Sequence, residues 1–283
     1  MSIELEQVSY IYHPATPFAR SALHALSLHI SAGETLGITG DVGAGKSTLL
    51  QMINGLLQPS SGRVLVDGHD VAAMGKRELA DLRRRVGLVF QHPERQIFAD
   101  SVFDEIAFGP RNAGLSRQEI SERVEWAGQA VGLPGSIKDR HALKLSAGEQ
   151  RRVALAGILA LQPSYLLLDE PTAGLDGEGA ATLMETLTRI GRQPGQTIVM
   201  VSHNLRQLLA LSQRIVWLRE GRIWLDLRRE EIIAHYVTLR QSYQLPEVLN
   251  VMHALRELGW PLDPAALTPE TLGAAIAEHI KGR

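Results

Sequence analysis

The chain has 283 residues, of which 45% are hydrophobic, so it can bury a sizeable core in one large domain with a smaller appendage. Its 29 Lys and Arg residues against 31 Asp and Glu give a net charge of -2, which offers no general attraction for nucleic acid. The absence of cysteine excludes disulfides, thiolate metal sites and a cysteine nucleophile. We see neither a secretory leader nor about eighteen consecutive apolar residues, and we therefore expect a cytoplasmic protein.

The first half of the chain reads as strands followed by a helical insert. Strand patterns occur in ELEQVSYIY, SLHI and ETLGIT, and apolar periodicity predicts a helix from Lys46 to Leu57. The strands RVLVDG and VGLVF follow, and the second ends at Gln91. Residues 92–160 then show helical patterns, most clearly in SRQEISERVEWAGQAVGL and EQRRVALAGILAL, and are predicted to form a helical subdomain.

Strands and helices alternate again in the second half. The strands YLLLDE and TIVMV are followed by IVWLREGRIWLD, in which the dipeptide EG predicts a hairpin turn. This alternation predicts an α/β fold with a mainly parallel sheet that is covered on both faces. Strand patterns stop after about Arg228, and residues 229–283 are predicted to be a small helical domain punctuated by prolines.

One glycine-rich loop carries a phosphate-binding pattern. GDVGAGKS matches GxxxxGK(S/T) and lies between a strand and the start of a helix, as such a site requires. Successive backbone N–H groups and the helix dipole would bind the phosphates, Lys46 would reach the β- and γ-phosphates, and the Ser47 hydroxyl would hold Mg²⁺. The alternative is a glycine-rich turn with a solvated lysine. The predicted ATP-binding residues of the loop are Gly40, Asp41, Val42, Gly43, Ala44, Gly45, Lys46, Ser47 and Thr48.

Two adjacent carboxylates end the apolar strand YLLLDE. Asp169 and Glu170 should lie at the carboxyl edge of a parallel sheet, where open α/β sheets bind ligands. Asp169 is suited to hold Mg²⁺, and Glu170 to polarise the attacking water. The alternative is a strand end whose acidic residues only stabilise the N-terminus of the next helix through its dipole.

The order of these motifs resembles that of the ATP-binding cassette ATPases. The residues that carry the resemblance are GDVGAGKS, Gln91, LSAGEQ, LLLDEP, AGLD and the histidine of VSHN, within residues 1–228. The resemblance implies a P-loop NTPase (RecA-like) core with an antiparallel β subdomain, a helical subdomain and the C-terminal helical domain. It also implies hydrolysis of ATP in a dimer of two such subunits.

In this family two subunits pack head to tail, so that the LSAGEQ helix of one covers the γ-phosphate held by the other. The resemblance implies that Tyr12 stacks on adenine, Gln91 touches Mg²⁺ and water, His203 bonds the γ-phosphate and Asp176 lines the dimer seam. The residues expected to act in trans are Leu145, Ser146, Ala147, Gly148, Glu149 and Gln150. The family usually has Gly in place of Ala147, and a methyl there is expected to crowd the facing nucleotide or to forbid a positive φ.

A narrower resemblance is to the ATPase subunits of energy-coupling factor importers of vitamins or transition-metal ions. It rests on FQHPERQIFADSVFDEIAFGPRNAGL, on RRVALAGILALQP and on the tail, which holds the two ATPases together in that group. It implies three kinds of partner: a second ATPase subunit, identical or different, a membrane scaffold and a substrate-binding membrane subunit. It also implies that this chain lies peripherally at the cytoplasmic face of the cell membrane. The alternatives are a soluble non-transport cassette ATPase, a weakly hydrolysing regulatory partner and a small-molecule P-loop kinase.

The segment after Gln91 is acidic. Glu94, Asp100, Asp104 and Glu105 outnumber its basic residues, which favours docking of a basic helix from a membrane scaffold. The alternative is a solvated acidic face. On the docking hypothesis, reversal of Asp104 and Glu105 to Lys would release the subunit from its scaffold.

Overall fold

The computed structural model describes residues 2–281. Its strands are β1 (Ser2–Tyr12), β2 (Arg20–Ser31), β3 (Thr35–Gly40), β4 (Ser61–Val66), β5 (His69–Asp70), β6 (Val86–Val89), β7 (Tyr165–Asp169), β8 (Thr197–Val201), β9 (Arg214–Arg219) and β10 (Arg222–Arg228). Its α-helices are α1 (Lys46–Ile53), α2 (Lys76–Arg85), α3 (Val102–Asn112), α4 (Arg117–Ala130), α5 (Ala147–Leu159), α6 (Gly177–Gly191), α7 (Leu205–Leu211), α8 (Tyr236–Ser242), α9 (Glu247–Glu257) and α10 (Pro269–Lys281).

The central sheet has six strands in the order β10-β9-β3-β8-β7-β6. The strands from β9 to β6 are parallel, and β10 pairs with β9 in the antiparallel direction. Every residue of β3, β7 and β8 is buried, because helices and the second sheet cover both faces. The carboxyl ends of β3 and β7 therefore meet at one edge, and they carry Gly40 and Asp169 to it.

A second sheet is antiparallel and has the order β2-β1-β4-β5. Its apolar side chains share one core with helix α1 and with one face of the central sheet. Helices α3, α4 and α5 form the helical insert, and their buried residues belong to the core on the other face of that sheet. These two layers confirm the predicted fold class of a parallel α/β core with an antiparallel β part and a helical part.

The part of the chain after β10 contains helices α8, α9 and α10. Buried side chains such as Leu239, Met252 and Leu272 join them to the same core that underlies the helical insert. The change from strands to helices falls at Arg228, where the sequence pattern changes. Within residues 2–281, no helix combines the length and the apolar character needed to cross a membrane.

Helices α1 and α2 differ from the sequence prediction, and strand β6 ends at Val89 rather than at Gln91. Helix α1 ends at Ile53 rather than at Leu57, because Gly55 follows with φ 71° and closes the helix in the left-handed region. Helix α2 has no counterpart in the prediction, because most of its residues are charged and Leu82 is its only buried residue. The predicted hairpin turn between β9 and β10 is present, with positive φ at Glu220 and Gly221.

Candidate active site

One cleft at the carboxyl edge of the central sheet gathers most of the predicted site. The predicted residues among those that line it are Tyr12, Val42, Gly43, Gly45, Lys46, Ser47, Thr48, Gln91, Asp169, Glu170 and His203. They come from the end of β1, the loop before α1, the segment after β6 and the ends of β7 and β8. The cleft is therefore built by the convergence of strand ends that the alternating pattern predicts.

The loop between β3 and α1 requires glycine at its two ends. Gly40 has φ 133°, and a Cβ there would lie 1.9 Å from the carbonyl oxygen of Leu218. Gly45 has φ 94°, and a Cβ there would lie 2.5 Å from the carbonyl oxygen of Ala22. Gly45 also caps α1 without a side-chain hydrogen bond, so backbone N–H groups of the first helical turn remain available to an anion.

The amino group of Lys46 lies at the centre of this loop. Its Nζ donates to the carbonyl oxygens of Gly40 and Asp41 at 2.8 Å each. Burial lowers the pKa of Lys46, and the carboxylates of Glu170 and Asp169 act in the opposite direction. The loop thus holds a partly desolvated cation, which interacts more strongly with a phosphate than a solvated lysine does.

Asp169 is 6% exposed and lies at the end of β7. Burial raises the pKa of its carboxyl group, whereas the hydroxyl of Ser47 and the charge of Lys46 oppose this shift. The hydroxyl and the carboxylate are oxygen donors, and Gln91 adds a side-chain amide oxygen at the same cleft. This donor set fits Mg²⁺, which takes few protein ligands and completes its shell with water and phosphate oxygens.

Glu170 follows β7 in an uncommon backbone conformation, with φ 49°. Its N–H donates to the carbonyl of Val201 at 3.0 Å, and its Oε1 accepts a hydrogen bond from the N–H of His203 at 2.8 Å. Burial raises the pKa of Glu170, and His203 opposes the shift. The imidazole Nε2 of His203 is 3.7 Å from the same carboxylate oxygen. The structure therefore places the predicted base and the predicted phosphate-binding histidine side by side.

Tyr12 lies at the mouth of the cleft, at the end of β1. Its hydroxyl is 2.9 Å from Oγ1 of Thr48, and its ring contacts Tyr10 edge to face at 4.7 Å between centroids. Arg20, at the start of β2, also lines the cleft, although sequence reasoning did not select it. No sequence motif links Arg20 to the cleft, because the residue lies far along the chain from the loop that it approaches.

The six residues of LSAGEQ and Asp176 do not line this cleft. Ser146 caps α5, and its Oγ donates to Oε2 of Glu149 at 2.8 Å while it accepts from the Glu149 N–H at 3.3 Å. Asp176 caps α6 through the N–H of Gly179 and lies 3.0 Å from Arg152. The helix start at Ser146 is exposed and lies outside the cleft of the same chain.

The structure corrects one expectation about Ala147. This residue is the first residue of helix α5 and has no positive φ, so an alanine adopts the required backbone without strain. Its methyl group is exposed. The fold of this chain therefore does not require glycine at position 147.

The structure also changes the interpretation of the acidic segment after Gln91. Oε2 of Glu105 accepts hydrogen bonds from the N–H groups of Phe98 and Ala99, at 3.0 and 2.8 Å. Asp104 contacts Ser101, the cap of α3, and pairs with Arg111 at 2.7 Å. These carboxylates stabilise the start of α3, so reversing them to Lys would disturb the fold as well as any docking.

Comparison with known families and proteins agrees with this geometry. The ABC transporter family matches residues 23–173. The energy-coupling factor transporter ATP-binding protein EcfA2 of Symbiobacterium thermophilum is 44% identical over 100% of this chain and 98% of its own length. A putative ABC transporter ATP-binding protein of Methanosarcina mazei is 45% identical over 95% of this chain and 90% of its own.

Solved structures also resemble the chain. A dimeric post-hydrolysis structure of the ATP-binding cassette MJ0796 with ADP and Pi has a TM-score of 0.74 at 28% identity, and the match covers 80% of this chain and 98% of that one. CbiO1 of Clostridium perfringens, part of the ABC transporter complex cbiONQ, has a TM-score of 0.71 at 35% identity, with 88% of this chain and 98% of that one covered.

Proposed function

This chain belongs to the ABC transporter family as an ATP-hydrolysing subunit of the energy-coupling factor type, and from that premise we propose how it works. ATP and Mg²⁺ bind in the cleft beside Lys46 and are hydrolysed between two ATPase subunits. Hydrolysis drives uptake of a vitamin or a transition-metal ion through separate membrane subunits. The observation that carries the proposal is the convergence of Lys46, Asp169 and Glu170 on one cleft.

Each residue of the cleft has a role in this proposal. Lys46 and the N–H groups of the loop bind the β- and γ-phosphates, and His203 donates a hydrogen bond to the γ-phosphate. Ser47, Asp169 and Gln91 would hold Mg²⁺, which supplies charge neutralisation at the phosphates. Glu170 accepts a proton from water and orients that water toward the γ-phosphate. Hydrogen bonds with the backbone of Val201 and His203 hold the carboxylate in position for this role.

The active unit in this proposal is a dimer. The LSAGEQ helix start is exposed and lies outside the cleft of its own chain, so a second subunit is needed to cover the γ-phosphate. The helical domain after Arg228 exposes Val251, Leu258 and Ile280 by 45%, 74% and 60%. These side chains favour a contact with the second ATPase, which is either the same chain or a different one.

The membrane partner docks, in this proposal, in the groove beside α3. We define the α3 groove by six lining residues, namely Arg84, Leu88, Phe98, Phe108, Asn112 and Leu161. Phe98 and Phe108 are 59% and 48% exposed and contact each other edge to face at 4.8 Å. Exposed aromatic pairs of this kind mark protein contacts, so we propose that a helix of the membrane scaffold packs its apolar face on them.

Glutamate substitutions test the α3 groove. The double change Phe98→Glu and Phe108→Glu places charges under the docked helix and is expected to release the subunit from detergent-solubilised membrane complexes. Leu56→Glu is the matched control, since Leu56 is 44% exposed outside the groove. ATP binding should persist in all variants, and membrane association of the double variant would contradict the docking site.

Affinity purification tests the whole proposal. The tagged chain is purified from native membranes in mild detergent, and the proteins that accompany it are identified by mass spectrometry. We expect a membrane scaffold, a substrate-binding membrane subunit and the second ATPase, held at the cytoplasmic face of the membrane. Recovery of soluble partners alone would overturn the transport role and leave the ATPase. Recovery of one ATPase or of two distinguishes a homodimer from a heterodimer.

A further inference from the structure

Arg151 is a buried cation that the proposed chemistry does not use. It lies in helix α5, five residues after the cap residue Ser146, and is 5% exposed. Burial lowers the pKa of its guanidinium, and the carboxylates of Glu94 and Glu170 oppose the shift. Removing such a charge from water is unfavourable unless its contacts compensate for the lost hydration.

The guanidinium contacts the backbone of two segments that line the cleft. Its NH2 donates to the carbonyl oxygen of Gln91 at short distance and to the carbonyl oxygen of Glu170 at 3.2 Å. These two acceptors follow the neighbouring strands β6 and β7, and they lie 60 and 19 residues from Arg151 along the chain. One side chain therefore ties the proposed Mg²⁺ ligand and the proposed base to a single helix.

The other terminal nitrogen reaches two further loops. NH1 lies 3.8 Å from Oε2 of Glu94, and that oxygen is buried with no hydrogen-bond partner among the described residues. A Cβ added at Gly174 would lie 3.1 Å from the same nitrogen, so the guanidinium also borders the loop that leads to Asp176. The planar fork of arginine serves several acceptors at fixed angles, which the single ammonium of a lysine does not do.

From this arrangement we infer that Arg151 is a positioning residue, which fixes the backbone of Gln91 and Glu170 relative to helix α5. The start of α5 carries the N–H groups proposed to cover the nucleotide of the second subunit. The contact thus links the cleft of one subunit to the start of its helix α5, which in the proposal covers the nucleotide bound by the second subunit. This inference rests on the roles proposed above for Gln91 and Glu170.

The test compares Arg151→Lys, Arg151→Met and the control Arg123→Lys in the assembled ATPase. Arg123 also donates to two backbone carbonyls, those of Ala160 and Leu161, but lies outside the cleft. We measure kcat and KM for ATP together with Tm. Substitution of a residue that orients a metal ligand typically lowers activity by about 10- to 100-fold. We expect Arg151→Lys to lower kcat about 10-fold, Arg151→Met to lower it further, and KM to stay within about twofold.

The control variant should retain wild-type kcat. Wild-type kcat in Arg151→Lys would overturn the inference. It would also be overturned if the variant lost activity together with a lower Tm and an equal loss of nucleotide affinity, since that pattern indicates a purely structural role. Glu170→Gln, assayed in parallel, separates the two levels of the proposal. Turnover by that variant would overturn the assignment of the base, whereas full turnover by Arg151→Lys alongside an inactive Glu170→Gln overturns the positioning role alone.

Discussion

The backbone N–H of His203 donates to Oε1 of Glu170 at 2.8 Å, so the second residue after strand β8 holds the carboxylate that follows strand β7. The two strands are hydrogen-bonded neighbours in the parallel sheet, with Asp169 opposite Val201. The register of the sheet thus sets the spacing between the proposed base and the proposed phosphate-binding histidine.

Glu170→Gln should abolish turnover while ATP binding persists. The amide keeps the shape of the side chain and one acceptor oxygen for the His203 N–H, but it does not accept a proton from water. We expect kcat to fall by about 10²- to 10⁴-fold, the range for loss of a positioned general base. Steady-state ATP hydrolysis and equilibrium binding of a fluorescent ATP analogue measure the two effects. Near-normal turnover would show that another group takes the proton.

Lys46→Ala should weaken ATP binding. The side chain is 7% exposed and offers a charge-assisted donor to the phosphates, which is worth about 1.5–3 kcal/mol. That range corresponds to about a 10- to 100-fold increase in Kd. Isothermal titration with ATP and Mg²⁺ gives the value, and Lys144→Ala, on an exposed stretch outside the cleft, is the control. Unchanged affinity would contradict the assignment of the loop.

Tyr12 is tested by two changes that separate its ring from its hydroxyl. Tyr12→Phe removes the contact with Thr48 and keeps the aromatic face, whereas Tyr12→Ala removes both. If the ring stacks on adenine, alanine should cost about 1–3 kcal/mol of binding, the magnitude measured for base stacking on aromatic side chains. Phenylalanine should bind nearly as well as tyrosine. Equal losses in both variants would assign the effect to the hydroxyl instead.

Sequence patterns predicted the parts of the site that lie on continuous motifs. The loop before α1 and the pair Asp169 and Glu170 each combine their chemistry with a local strand or helix signal, and the sheet brings them together. Arg20 and Arg151 carry no such signal, because their partners lie on segments distant in sequence and only the fold creates the contacts. Helix α2 was not predicted, since charged residues surround a narrow apolar face in which Leu82 is the one buried residue.

Ala147→Gly tests whether the methyl group affects the covered nucleotide. The residue is helical and exposed, so we expect glycine to lower the free energy of unfolding by no more than about 1 kcal/mol. The capping contacts of Ser146 and Glu149 set the direction of the helix N–H groups and do not involve the side chain at 147. Turnover should therefore stay close to that of the wild type. A large rise in kcat would show that the methyl crowds the nucleotide of the facing subunit.

Asp67→Asn should lower the free energy of unfolding at neutral pH and make that free energy less dependent on pH in the acidic range. Burial raises the pKa of Asp67, but hydrogen bonds from Tyr165 and Arg85 outweigh it, so the pKa lies below its ordinary value. A depressed carboxyl pKa contributes stability above the unfolded-state pKa and loses it as the pH falls through the folded-state pKa.

At pH 7 the charged contact with Arg85, at 2.5 Å and largely buried on the Asp67 side, should be worth about 1–3 kcal/mol. Asparagine tolerates the φ of 54° at this turn and still accepts a hydrogen bond from Tyr165, so the change removes the charge together with the acceptor oxygen that faces Arg85. Urea unfolding of both proteins from pH 7 to pH 3 measures the difference, which should shrink as Asp67 becomes protonated. Asp81→Asn breaks the exposed pair with Arg84 and should change stability by less than about 1 kcal/mol at every pH. A pH-independent difference for Asp67→Asn would mean that the carboxylate contributes through its shape rather than its charge.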